Sequence, residues 1–155
     1  MERPVRRSKK TTQRKHDSGK QKRHTRKALV LVDGKRRIGS LSPSKRGARH
    51  DKRVCDPRGI VAHIPPGVSL LADSGFQGLR HPGLCLPVKG TRKWPLTDEQ
   101  RRWNTLLASI RVVVEHSIGG MKRDNAVAGV YRNRLPKTDD RFNLLAAGLW
   151  NYTMT

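Results

Sequence analysis

The sequence predicts an α/β fold, a mixed sheet flanked by helices, behind a strongly basic first third. Three observations predict it. Asp33-Gly34 joins two β-prone runs. A short apolar run, Val68–Ala72, ends in the acidic and glycine-rich turn Asp73-Ser74-Gly75-Phe76-Gln77-Gly78. Two stretches in the final third repeat apolar residues at helical spacing. The length of 155 residues suits one domain. The apolar share is 34%, below the usual globular level of about 45–50%, so the core must be small.

The charge is uneven. The chain carries 34 Lys+Arg against 12 Asp+Glu, a formal net charge of +22. Residues 1–53 hold 20 of the cations and 4 of the acids, a net of +16. Residues 6–27 contain no large apolar side chain, and such a stretch buries too little surface to offset its ordering entropy. Residues 1–27 are therefore expected to be a flexible basic arm, and residues 28–155 the folded domain. So much positive charge points to a polyanion partner. Nucleic acid fits best, because Lys and Arg that neutralise phosphates release counterions.

Other classes are excluded. No run of about 18 apolar residues exists, so no membrane span is expected. The segment after Met1 lacks a signal-peptide core. Cys55 and Cys85 lie far apart without CxxC spacing, which excludes a disulfide scaffold and a zinc ribbon. The expectation is a cytoplasmic, nucleoid-associated protein.

The elements follow in order. Ala28–Val32 and Lys35–Leu41 flank Asp33-Gly34, the signature of a hairpin with a type I′ turn, which needs φ > 0 at both central residues. Val68–Ala72 reads as a buried strand. Pro82, Gly83 and Pro87 then break regular structure. A helix is expected from about Asp98 to Lys122. Thr97 and Gln100 make a capping box, and Asp98 and Glu99 sit where the helix dipole favours anions. Its apolar face is Trp103, Leu106, Leu107, Ile110, Val113, Val114 and Met121. A last helix begins near Asp139, with Phe142, Leu145, Ala146 and Leu149 as its buried stripe.

The long helix also carries a polar side. Asn104, Arg111, Glu115 and Lys122 are seven, four and seven residues apart, which places them on one side of a 3.6-residue period. Arg111 and Glu115 alone could be an ordinary i,i+4 ion pair, worth about 0.2–0.5 kcal/mol. Asp73 alone could simply form a turn. Together, an Asp at a strand end, a Glu on a helix and a very basic chain suit phosphodiester chemistry. Carboxylates are the donors hard divalent cations take, and two such ions about 3.5–4 Å apart can serve the attacking and leaving oxygens of an in-line displacement.

At these residues the chain resembles bacterial insertion-sequence transposases of the DDE superfamily. Glu2-Arg3-Pro4, Ser18-Gly19-Lys20 and His24-Thr25 look like that family's opening section. His50-Asp51 resembles its His-Asp pair. Leu71–Gly78 resembles the segment with its second acid, and Arg111–Glu115 with Lys122 fits its R-x3-E-x6-K spacing. Tyr131–Arg134 and Arg141–Leu144 look like its closing section. The resemblance implies a ribonuclease H-like fold and Mg²⁺-dependent (or Mn²⁺-dependent) cleavage and strand transfer at element ends. It makes Asp73 and Glu115 the catalytic, metal-binding acids. Arg111 and Lys122 become phosphate contacts, and the basic arm offers Lys20, Lys22 and Arg23 for the same role. His50 and Asp51 either orient a ligand or, for Asp51, cap a helix, and His116 either assists the metal site or is a partly exposed neighbour of Glu115. Two positions depart from the pattern. The family's first Asp has no counterpart, because Met1 stands directly before Glu2, and Ala108 stands where related signatures carry Tyr. The resemblance thus covers a carboxyl-terminal portion, expected to lack the first strand, as a truncated chain or a second-frame product. DNA is the expected partner, along with self-association or a separately encoded amino-terminal portion.

A noncatalytic basic nucleic-acid-binding protein is the alternative. Asn104 belongs to the family pattern as well as to the polar stripe. Gly119-Gly120 either admits a close neighbour or weakens the last turn. Trp94, among Lys89, Arg92 and Lys93, either stacks on a base or plugs the core.

Overall fold

The computed structural model describes residues 1–6, 17–18, 23–48, 60–133 and 135–154. The chain divides into two units, one formed by Met1–His50 with Val113–Thr155, the other by Asp51–Val112.

The first unit contains a four-stranded sheet built around β3, Arg23–Lys27. Strand β1, Glu2–Pro4, pairs antiparallel with it in the register Glu2↔Lys27, Arg3↔Arg26 and Pro4↔Thr25. Strands β2 (Asp17–Ser18) and β6 (Lys45–Arg46) are also antiparallel to β3. The Met1 ammonium donates to the Ala28 carbonyl at 2.8 Å. Composition predicted no regular element in this stretch. Backbone pairing needs no apolar side chains, and the sheet is sealed instead by buried Thr25 and Arg3.

Arg3 is 6% exposed. Its guanidinium carbon lies 4.7 Å from the Tyr131 ring centroid and 6.0 Å from that of Phe142. It donates to the carbonyls of Gly129 and Ala126. Burial pushes its pKa down from the ordinary arginine value, and the Asp139 carboxylate opposes that shift. Arg26 Nε lies 2.8 Å from Asp139 Oδ2, so the buried acid has its cation.

The expected hairpin is present as β4 (Val30–Val32) and β5 (Ile38–Leu41), with a bulge after Leu31. Its turn differs from the expected type I′. The positive φ, 66°, falls at Arg36 rather than at Asp33 and Gly34. The Asp33 carboxylate explains the change by accepting from the N–H groups of Lys35 (2.8 Å) and Arg37 (2.9 Å), which holds a longer loop. The Arg36 carbonyl so presented accepts from buried Ser117 Oγ at 2.9 Å and from Trp150 Nε1 at 2.8 Å.

Helix α1, Asp98–Met121, is followed in this unit by α2, Asn125–Ala128, and α3, Thr138–Thr153. The core gathers Ile38, Met121, Val127, Ala146, Ala147 and Trp150. The orientation of α3 corrects the expected stripe. Ala146 is buried as expected and Phe142 is half-buried, but Leu145 and Leu149 are each 62% exposed. Polar anchors on the inner side set the rotation. Asp140 accepts from Ser44 N at 2.7 Å, Asn143 Nδ2 donates to Ser44 Oγ at 3.2 Å, and Asn151 bonds both the N–H (2.7 Å) and carbonyl (2.9 Å) of Ile38. Gly120 is the glycine that admits a close neighbour. A Cβ there would overlap the Trp150 ring, whereas Gly119 faces open space.

In the second unit, β7 (Leu70–Leu71) runs parallel to β8 (Leu84–Cys85). The strand expected over Val68–Ala72 shrinks to two half-buried residues. Strand β8 lies inside the stretch expected to be irregular. Pairing there uses Leu70 N to Gly83 O (2.8 Å) and Ala72 N to Cys85 O (3.1 Å), which Pro82 and Pro87 do not obstruct. The capping box at the start of α1 forms as expected, with Thr97 N donating to Gln100 Oε1 (3.1 Å) and Gln100 N to Thr97 Oγ1 (3.3 Å). Along the expected apolar face of this helix, Leu107 is buried while Trp103, Leu106 and Ile110 are exposed. Trp103 Nε1 instead donates to the Leu86 carbonyl.

Candidate acid and phosphate site

Asp73 stands two residues beyond the end of β7 and caps the 3₁₀ turn Ser74–Phe76. Its Oδ1 accepts from Ser74 N at 2.6 Å. Its Oδ2 lies 3.4 Å from Nη2 of Arg111. Asp73 therefore forms the turn with one carboxylate oxygen and meets Arg111 with the other. The pair is partly open to solvent, with side-chain exposures of 48% for Asp73 and 32% for Arg111. An ionised carboxylate has about four acceptor positions, so Asp73 keeps capacity for a further ligand.

Arg111 thus directs its guanidinium to a residue 38 positions away in the chain. Spacing had offered Glu115 as its partner. No local signal in the sequence points from Arg111 to Asp73, because the contact depends on where the β7 turn lies against α1.

Asn104 has a structural role. Its side chain accepts from Val88 N at 2.8 Å and donates to Val88 O at 2.9 Å, tying the incoming loop to α1 as a backbone strand would. Glu115 and His116 are exposed on α1 within the other unit. Lys122 is exposed immediately after that helix, its N–H donating to Ile118 O at 3.1 Å. Arg23 contributes its backbone to β3, opposite Ser18. Lys20, Lys22, His50, Asp51 and Cys55 lie outside the described residues. Cys85 is a free, half-buried thiol.

Among the described residues, no group of three or more His, Cys, Asp or Glu side chains is placed to hold a metal ion. The donors that are present fit a hard cation by chemistry. Mg²⁺ is usually held by one or two carboxylates, with waters and substrate phosphates completing its shell. Asp73, with lone pairs to spare and solvent access, meets that requirement on the protein side. Among the described residues, no helix is long and apolar enough to cross a membrane.

Comparison with known proteins adds an independent line. A family model described as DDE superfamily endonuclease matches residues 1–151. A protein of Microchaete diplosiphon described as a probable transposase for insertion sequence element IS702 is 34% identical over 156 residues. That match covers 99% of this chain and 55% of the relative, so the chain spans about half the relative's length. No solved structure matches the chain significantly.

Proposed function

Because this chain belongs to the DDE superfamily endonucleases, we propose that it takes part in cleaving and joining DNA at the ends of an insertion sequence. The observation that carries the reading is Asp73, a solvent-accessible carboxylate next to a strand end with a cation, Arg111, at its outer oxygen. The family uses divalent metal ions, and we assign Mg²⁺ or Mn²⁺ to Asp73 and Glu115. Such an ion, when bound, sharpens a water or hydroxyl as nucleophile and stabilises the charge that builds on the leaving oxygen.

The chain's own groups supply position and charge. Arg111 offers a planar, always-charged fork suited to the two outer oxygens of a phosphodiester. Lys122, Lys20, Lys22 and Arg23 extend that positive surface along the backbone of the DNA. His50, Asp51 and His116 are assigned to orienting the acids and the attacking group. A ribonuclease H-like arrangement, with the acids converging at one sheet edge, is the fold we propose on family grounds. DNA is the substrate and partner, which makes the cytoplasm and its nucleoid the site of action. A second copy, or a separately encoded portion, is the further proposed partner.

The test is divalent-ion-dependent cleavage of a DNA carrying the element's terminal repeats by the chain together with the separately encoded portion, with the wild type, Asp73→Asn and Glu115→Gln; little cleavage is expected from the chain by itself. The expected outcome is at least a hundredfold loss in each variant with DNA binding retained. DNA binding without metal-dependent cleavage once that portion is supplied would instead favour a noncatalytic binder, which the +22 charge alone would also support.

A further inference from the structure

We infer that the loop before α1 binds single-stranded nucleic acid, with Trp94 stacking on a nucleobase and Lys89, Arg92 and Lys93 neutralising the adjoining phosphates. Trp94 is 80% exposed, which settles against a core-filling role for this indole. Its backbone is nonetheless held. Thr91 N donates to Trp94 O at 2.9 Å, and Trp94 N donates to Thr91 Oγ1 at 3.1 Å. The loop closes tightly on itself, since a Cβ at Gly90 would lie 3.0 Å from Leu96 Cγ. The indole thus projects into water from a turn that is already formed, so little ordering entropy remains to be lost on binding.

The surroundings define the partner. Lys89, Arg92 and Lys93 are all exposed, and among the described residues no carboxylate pairs with any of them. Of the two acids that open α1, Asp98 is engaged by Arg101 at 3.3 Å and Glu99 is exposed, so the loop and the start of the helix still carry a net positive charge. An isolated aromatic face among unpaired cations matches a polymer that alternates flat rings with anionic links. Any base offers a π-face, so stacking tolerates sequence, while the phosphates account for the cations. An apolar protein segment would need contiguous apolar neighbours, and the loop offers Gly90, Thr91 and Pro95 instead. A membrane surface would also accept an aromatic beside cations, but anchoring of that kind relies on an amphipathic helix, and this is a short turn. Single strands are preferred over duplex because the faces of duplex bases are already covered by their neighbours.

The experiment uses the full chain and a fluorescently labelled oligothymidine, beside a duplex of equal length, with binding followed by anisotropy over a range of salt. Trp94→Ala should weaken single-strand binding about 5- to 100-fold, and Trp94→Phe should keep most of it. The salt slope should not change in either variant, since neither removes a cation. Converting Lys89, Arg92 and Lys93 to Gln should lower the single-strand slope by about 0.7 for each phosphate no longer neutralised. Far-ultraviolet circular dichroism should be the same for all variants, because each altered side chain is exposed. Unchanged single-strand affinity in Trp94→Ala would overturn the inference. So would an equal loss on duplex.

Discussion

Arg111 Nη2 and Asp73 Oδ2 face each other at 3.4 Å, a cation resting on the carboxylate where a divalent metal ion is proposed to bind. The contact is long and partly solvated, and exposed pairs of this kind contribute about 0–1 kcal/mol. It is weak enough to be displaced. A metal ion entering at Asp73 would compete with Arg111 for one oxygen while Ser74 N retains the other. The freed guanidinium would then be available to a phosphate.

Mn²⁺ affinity should report this competition directly. Asp73→Asn is expected to weaken binding by tenfold or more, and Arg111→Gln to tighten it by about two- to fivefold, because a competing charge is removed. Calorimetry or Mn²⁺ electron paramagnetic resonance gives both values. Weakened binding in Arg111→Gln would mean that the guanidinium supports the site rather than competing for it.

DNA affinity should fall steeply with salt. Each phosphate contact on duplex DNA contributes about 0.9 to the slope of log K against log salt. Lys20→Gln with Lys22→Gln should therefore lower the slope by up to about 1.8 if both touch phosphates. Removing residues 1–27 is a poor alternative, because that deletion also takes away β1 and β3. A slope unchanged by the double substitution would place the binding surface elsewhere.

Gly119 and Gly120 should respond in opposite directions to alanine. Gly119 faces open space, so Gly119→Ala should stabilise by about 0.5–1 kcal/mol through helix propensity. Gly120→Ala pushes a methyl group into the Trp150 ring and should cost about 1–3 kcal/mol. Urea unfolding of the two variants measures the split. Equal effects would show that Trp150 does not pack against Gly120.

The rotation of α3 is tested by neighbouring residues. Trp150 is buried and donates to the Arg36 carbonyl, so Trp150→Ala should cost about 3–5 kcal/mol. Leu149 is exposed, and Leu149→Ala should change stability by no more than about 0.5 kcal/mol. A large destabilisation at Leu149 would restore the stripe that hydrophobic periodicity alone predicts.

Features that depend on residues a few positions apart could be read without the fold. The Thr97–Gln100 capping box forms as its spacing predicts, because both partners sit within one turn. The hairpin at Asp33 and the extent of α1 are legible for the same reason. Asp73 was legible as a chemical type in a strand-end turn, and the ordered motifs were enough to indicate the family. Contacts that join distant segments were set by the folded chain. The pairing of β1 with β3 left no hydrophobic trace, since backbone hydrogen bonds carry it and Arg3 seals it. Arg36 took the left-handed turn position in place of Gly34, and its carbonyl receives Ser117 and Trp150. The inner face of α3 follows Asp139, Asn143 and Asn151 rather than its leucines, because each of these polar groups has a partner on another segment. Arg111 found Asp73 for the same reason. A local pattern specifies which groups are available, but the energy of a long-range contact exists only once the fold has brought both partners within reach.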